Sequence, residues 1–141
     1  MLLHLMTDTD VAVKLTAASS LKICVDDFDF ELESFLPFTK DSINLCMKLI
    51  EEVDEFESKL SVLSCLSVIV QRLEEKVCIY FKFTIKVTPF ALHIITALSY
   101  MWQISEGQNM FRSSIVSLLT KLVTVFFRYL TFRLFVKNRQ I

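Results

Sequence analysis

Residues 58–73 read SKLSVLSCLSVIVQRL, and their spacing is helical: Leu60, Leu63, Ser67 and Val70 fall along one side, with Leu66 and Ile69 widening the apolar surface. A strand would alternate with period two and end sooner. Upstream, residues 11–25 (VAVKLTAASSLKICV) place Val11, Leu15, Ala18, Leu21 and Val25 on one face, with Asp8 or Asp10 available to cap the start. Between the two lie an acidic link, DDFDFELES, and FLPFTKDSINLCMKLIEEV, in which Pro37 suits a first helical turn and Phe38, Leu45 and Leu49 share a stripe. Downstream, Pro89 opens PFALHIITALSYMWQI, SEGQN forms a polar link, and MFRSSIVSLLTKLVTVFFRYL supplies a fifth helical stretch.

These helices repeat. Pro37-Phe38 recurs as Pro89-Phe90, and Leu66 and Leu119 follow those prolines by 29 and 30 residues. Leu21 precedes Leu66 by 45 residues and Leu66 precedes Leu119 by 53. HEAT and armadillo units run to about 40–47 residues. The excess falls on CIYFKFTIK, residues 78–86, whose alternation of aromatic, β-branched and Lys residues reads as an extended insertion between the third and fourth helices. The expected fold is all-α: a solenoid of HEAT/armadillo-type helical hairpins, about two and a half repeats, over residues 1–125 with the insertion at 78–86. Residues 126–141 are set apart as a basic, aromatic tail of uncertain structure. Leu21, Leu66 and Leu119 are expected at equivalent buried positions of three helices, each second in its pair.

Composition agrees with helices. One Gly and two Pro in 141 residues are too few for sheets, barrels or phosphate-cradling loops. A hydrophobic fraction of 53% with 13 Phe exceeds what a core of this size needs, so some apolar surface is expected to face a neighbour. The net charge of −1 conceals a division: residues 1–106 hold 9 basic and 16 acidic side chains, giving −7, and the remainder holds six basic and no acidic ones, giving +6. Six cations spread over an apolar tail are too diffuse for specific nucleic-acid binding. No targeting segment is visible at the N-terminus. The charge-free run between Lys86 and Glu106 has the length of a membrane span, but Thr88, Pro89, His93, Thr96, Ser99, Gln103 and Ser105 make it a poor one.

Chemistry-bearing patterns are absent. Cys24, Cys46, Cys65 and Cys78 include no Cys-x-x-Cys pair, and His4 and His93 are the only imidazoles, so no metal site is assigned. Cys24, Cys46 and Cys65 lie in apolar helical stretches, where a free thiol is a small buried hydrophobe in a reducing compartment. Neither histidine has a carboxylate or nucleophile in a local motif, and Gly107 is the only glycine, which excludes a phosphate loop. Asp26, Asp27, Asp29, Glu31 and Glu33 lack the offsets of a calcium loop and read as a solvated link or a contact for a basic partner. No catalytic, cofactor-binding or metal-ligating residue and no cofactor is therefore assigned, and the chain is read as a binding protein, not an enzyme.

Three stretches carry a family resemblance. VKLTAASSLKICVDDFDFELESFLPF, ESKLSVLSCLSVIVQRLEEKV and MWQISEGQNMFRSSIVSLLTKLV resemble, in collinear order over about half of the chain, the importin-11 branch of the importin-β superfamily of karyopherins. The resemblance implies an internal piece of a nuclear transport receptor that moves between nucleus and cytoplasm. Its implied partners are protein cargo, a Ran-type GTPase and FG nucleoporins, without specific nucleic acid and without a membrane. The family's main GTPase contact lies in N-terminal repeats that these stretches do not resemble, so no GTPase-binding residue is carried over. CIYFKFTIK and the tail FFRYLTFRLFVKNRQI depart from the family pattern. Two other readings stand beside this one: a cytosolic helical-repeat scaffold, and a small membrane protein built around residues 87–105 and 115–135.

Overall fold

Asp10, itself extended after a turn, directs its side chain onto the backbone N–H of Ala12 at 2.8 Å, and a helix begins at Val11. Asp8 supports the same turn, accepting from the N–H of Asp10 at 2.9 Å, so both expected caps act in series. The computed structural model describes the backbone of residues 1–27, 29–76 and 81–139, and the side chains within these except at 73–76, 81–91, 93, 125, 126, 128–130, 132, 133, 135, 136, 138 and 139. Among the described residues it contains α1 (Leu2–Leu5), α2 (Val11–Asp26), α3 (Leu32–Phe35), a 3₁₀ turn (Leu36–Phe38), α4 (Thr39–Glu52), α5 (Phe56–Lys76), α6 (Phe81–Ile104) and α7 (Asn109–Arg139), and no strand.

The chain is all-α, and its helices form two layers. α2, α5 and α7 stack side by side in one, and α1, α4 and α6 lie against them in the other. Side-chain ties fix the directions. Lys59 at the start of α5 donates to the carbonyl of Ile50 at the end of α4, as an antiparallel hairpin requires. Arg72, late in α5, reaches the Val25 carbonyl at the end of α2, so α2 and α5 run parallel. Phe56 and Phe111, at the starts of α5 and α7, pack edge to face with centroids 5.3 Å apart, so α7 runs parallel to both. The hairpins α1–α2, α4–α5 and α6–α7 are the expected solenoid, with the first member of the first hairpin reduced to one turn.

The core follows the apolar spacing with corrections. On α2, Ala17, Ala18, Leu21 and Val25 are buried, while Val11 and Leu15 pack at its edge. On α4 the buried face is Ser42, Ile43, Cys46, Met47, Leu49 and Ile50, and Phe38, expected on the inner stripe, is 52% exposed. The 3₁₀ turn carrying Pro37 rotates Phe38 outward before α4 begins. Leu66 is fully buried and Leu21 nearly so, but Leu119 is only partly covered, and Leu118 takes the third equivalent place at 0% exposure. Phe111, Ile115, Leu118 and Leu122 recur every three or four residues, and that stripe sets the register of α7.

Three further expectations are overturned, and the tail set apart as of uncertain structure is helical as far as residue 139. Residues 81–86 of CIYFKFTIK are not extended: they form the first turns of α6, and 78–80 lie outside the described residues. Phe81 and Ile85 are four apart, as are Lys82 and Lys86, so the same letters satisfy a helical spacing as well as an alternating one. Pro89 therefore sits inside α6 and not at its start, omitting one backbone hydrogen bond without ending the helix. The acidic link contains a helical turn, α3, whose Leu32 and Phe35 are buried. Residues 126–139 of the tail continue α7 without a break.

Two predictions follow. Leu118→Ala should lower the urea-unfolding free energy by about 2–5 kcal/mol and Leu119→Ala by clearly less; equal losses would contradict the register of α7. Pro89→Ala should raise the melting temperature, since an interior proline costs about 3 kcal/mol of helix stability; a first-turn proline would give no gain.

Candidate protein-interaction site

The hairpin link Val53–Glu55 is short because Val53, extended at ψ 141° and buried, stops α4 and points into the core. That places the end of α4 beside the start of α5, and Lys59 spans the gap: its Nζ donates to the Ile50 carbonyl at 2.7 Å while the side chain is 8% exposed. A cation suits this position, because the last carbonyls of a helix carry its negative pole and lack partners. α6 crosses the same region, and between the three helices lies an open cavity of about 510 Å³, with Ile50 and Met101 as its floor and Lys59, Thr96, Tyr100 and Ile104 among its walls. Tyr100 is 63% exposed and Ile104 44%, so the rim is apolar and aromatic. Glu51 supplies a carboxylate at one edge.

Beyond the groove, the end of α6 is locked in place. Arg112 of α7 donates to the Trp102 carbonyl at 2.9 Å and to Ser105 Oγ at 3.3 Å, and its guanidinium lies 4.6 Å over the indole ring. Gly107, at φ +83°, makes the tight turn into α7. In the other layer, Lys121 of α7 donates to Ser67 Oγ at 2.8 Å and to Gln71 Oε1 at 3.3 Å on α5.

Among the described residues no group of three or more His, Cys, Asp or Glu could hold a metal ion. His4 is exposed on α1, and the His93 side chain lies outside the described ones. Of the acidic-link residues, Asp27 accepts from the N–H of Asp29 at 2.9 Å and Glu31 from Ser34 Oγ at 3.1 Å, so these carboxylates partly organise their own loop. Arg72 also donates to the Asp27 carbonyl, which makes the link's basic contact an internal one. Cys24, expected to be buried, is exposed, whereas Cys46 and Cys65 are buried free thiols. A hydrogen bond from Cys46 to Cys65, together with burial, raises the Cys46 thiol well above its ordinary value, and the same bond lowers that of Cys65 against the opposing effect of burial.

Sequence reasoning did not find the groove. Its signal was present in the outward spacing of Thr96 and Tyr100 on an otherwise apolar helix, but the facing residues Ile50 and Lys59 are too distant in sequence for a local pattern. Among the described residues no helix is long and apolar enough to cross a membrane.

The chain is similar to importin-11 of Mus musculus, with 31% identity over 120 residues, or 85% of the chain, and to importin-11 of Homo sapiens to the same extent. It spans 11% of the length of these curated relatives. No protein-family model matches the sequence, and no solved structure matches it.

Lys59→Met keeps the side-chain length but removes the bond to Ile50, and should destabilise the fold by about 1.5–3 kcal/mol, read by urea unfolding. An unchanged midpoint would mean that the α4–α5 corner does not depend on this cap.

Proposed function

We propose that this importin-11-like chain is a repeat segment of a nuclear transport receptor, binding partner proteins through the groove between α4, α5 and α6. The observation that carries the reading is the 31% identity to importin-11 over 85% of the chain, on a stack of helical hairpins. The groove's chemistry supports it. A cavity of about 510 Å³ with an aromatic rim accepts one or two large apolar side chains, and Glu51 at its edge and the Tyr100 hydroxyl provide polar contacts. An extended peptide bearing Phe residues, of the kind found in FG nucleoporins, fits that description, as does an apolar anchor on a protein cargo. A Ran-type GTPase is the partner expected of the longer receptor and is not assigned to these residues. The chain would act by binding alone, moving between nucleus and cytoplasm with its partner.

The test is fluorescence anisotropy with a labelled FG-repeat peptide. The peptide should bind the chain, and Tyr100→Ala should weaken binding at least about tenfold, an aromatic anchor's usual share, while leaving the circular dichroism spectrum unchanged. No binding, or binding indifferent to Tyr100, would remove the groove as the site and favour a repeat scaffold unconnected to transport.

A further inference from the structure

Two thiols face each other inside the fold, away from the groove. Cys46 lies on the inner side of α4 and Cys65 on that of α5, and both are fully buried. The Cys46 S–H donates to the Cys65 sulfur, so the pair is within hydrogen-bond reach across the α4–α5 interface. The hairpin fixes this pairing. Its short link and the bond from Lys59 to Ile50 set the register of α4 on α5, and Cys46 stands one turn before Ile50. The residues one turn to either side on the same helices, Ile43, Ile50, Val62 and Ile69, are buried too.

Filling core space needs only volume, which Ala or Val supplies. What the pair adds is chemistry. The hydrogen bond from Cys46 favours the thiolate of Cys65; burial opposes this, and the charge of Lys22 on α2 acts with the bond. The same bond and burial keep Cys46 protonated. One sulfur is thereby the better nucleophile and the other stands next to it, which is the arrangement that oxidation to a disulfide needs. Among the described residues no third Cys, His, Asp or Glu joins them to complete a metal site.

We propose that Cys46 and Cys65 are a redox pair that closes to a disulfide in the folded chain, with Cys65 as the attacking sulfur, and so braces α4 against α5. The oxidant is a peroxide, small enough to enter when the hairpin opens locally. Cys65 attacks one peroxide oxygen, the O–O bond breaks, and the Cys65 proton leaves with the departing oxygen as water, giving a sulfenic acid. Cys46 then attacks the Cys65 sulfur, forming the S–S bond and breaking the S–O bond, and its proton leaves with that hydroxyl as a second water. Two thiols lose two electrons, and one hydrogen peroxide becomes two waters. The bond joins residues 19 apart in sequence and restricts the unfolded chain more than the folded one. Neither thiol lines the α4–α6 groove, so the inference does not rest on the transport reading.

The 141-residue chain carrying Cys24→Ser and Cys78→Ser, which leaves this pair alone, tests it. Treated with hydrogen peroxide, alkylated and digested with trypsin without reductant, the monomer should yield peptides 41–48 and 60–72 joined by a disulfide. The wild-type chain should give the same linked peptides. Oxidation should raise the melting temperature, read by circular dichroism, by about 5 °C, and dithiothreitol should reverse both changes. On the same background, dimedone should trap a sulfenic acid at Cys65 in Cys46→Ser at least about tenfold faster than at Cys46 in Cys65→Ser, since serine keeps a hydrogen-bond donor. Two free thiols after peroxide, a link that forms only in urea, or a link that leaves the melting temperature unchanged or lower would each overturn the proposal. Faster trapping at Cys46 would overturn the assignment of Cys65 as the attacking sulfur.

Discussion

Everything in this chain leans on α5. It packs against α2 on one side, α7 on the other and α4 behind, and it is apolar enough to serve all three: Val62, Leu63, Cys65, Leu66, Ile69 and Val70 are buried. Each large aliphatic side chain so covered contributes about 1.5–3 kcal/mol, which outweighs the polar ties around it. The Lys14–Glu52 pair joins α2 to α4 at 2.7 Å with its members 13% and 35% exposed, and such a surface pair contributes about 0.2–1 kcal/mol. The polar contacts have another use. Arg72, Lys59 and Lys121 fix which ends of neighbouring helices meet, and so convert a sticky helix into a register.

The two layers are unequally filled, and the candidate binding groove follows from that. Among the described residues, α5 packs closely against α2 and α7, whereas α4 and α6 touch less extensively across the other layer. A stack tighter on one side than the other curves, and the looser side opens between its helices. The cavity beside Tyr100 lies in that opening, and its floor, Ile50 and Met101, belongs to the core that holds the layers together. Recognition surface and fold thus share side chains.

Much of the fold was legible because the repeat states it several times. The helices α2, α4, α5 and α7, the cap at Asp10 and the proline turn at Pro37 follow from spacing and local chemistry alone. The misreadings fall where two rules applied to the same letters. Phe81, Phe83 and Ile85 alternate, yet Phe81 and Ile85 also share a helical face, and a short apolar run does not separate the two periods. Pro89 was read as a start because prolines favour first turns, but a helix already propagating from Phe81 loses one bond there and continues. Leu118 and Leu119 differ by one position, and the choice between them rests on contacts with α5, which no local pattern encodes. The groove was hidden for the same reason, since its walls come from both sides of residues 77–91.

The segregation of charge also has a structural cause. Three cations in this fold bind main-chain carbonyls: Lys59 that of Ile50, Arg72 those of Val25 and Asp27, Arg112 that of Trp102. Each answers the negative pole at a helix end, where a carbonyl buried without a donor would cost about 1–3 kcal/mol. A cation committed to a backbone oxygen does less to neutralise a carboxylate, so the exposed Asp26 and Asp29 keep an acidic surface at the end of α2. The later part of the chain has no acidic residue after Glu106, and its surface is basic by default. Helix capping inside the stack thereby takes up cations that would otherwise offset the acidic surface at the end of α2.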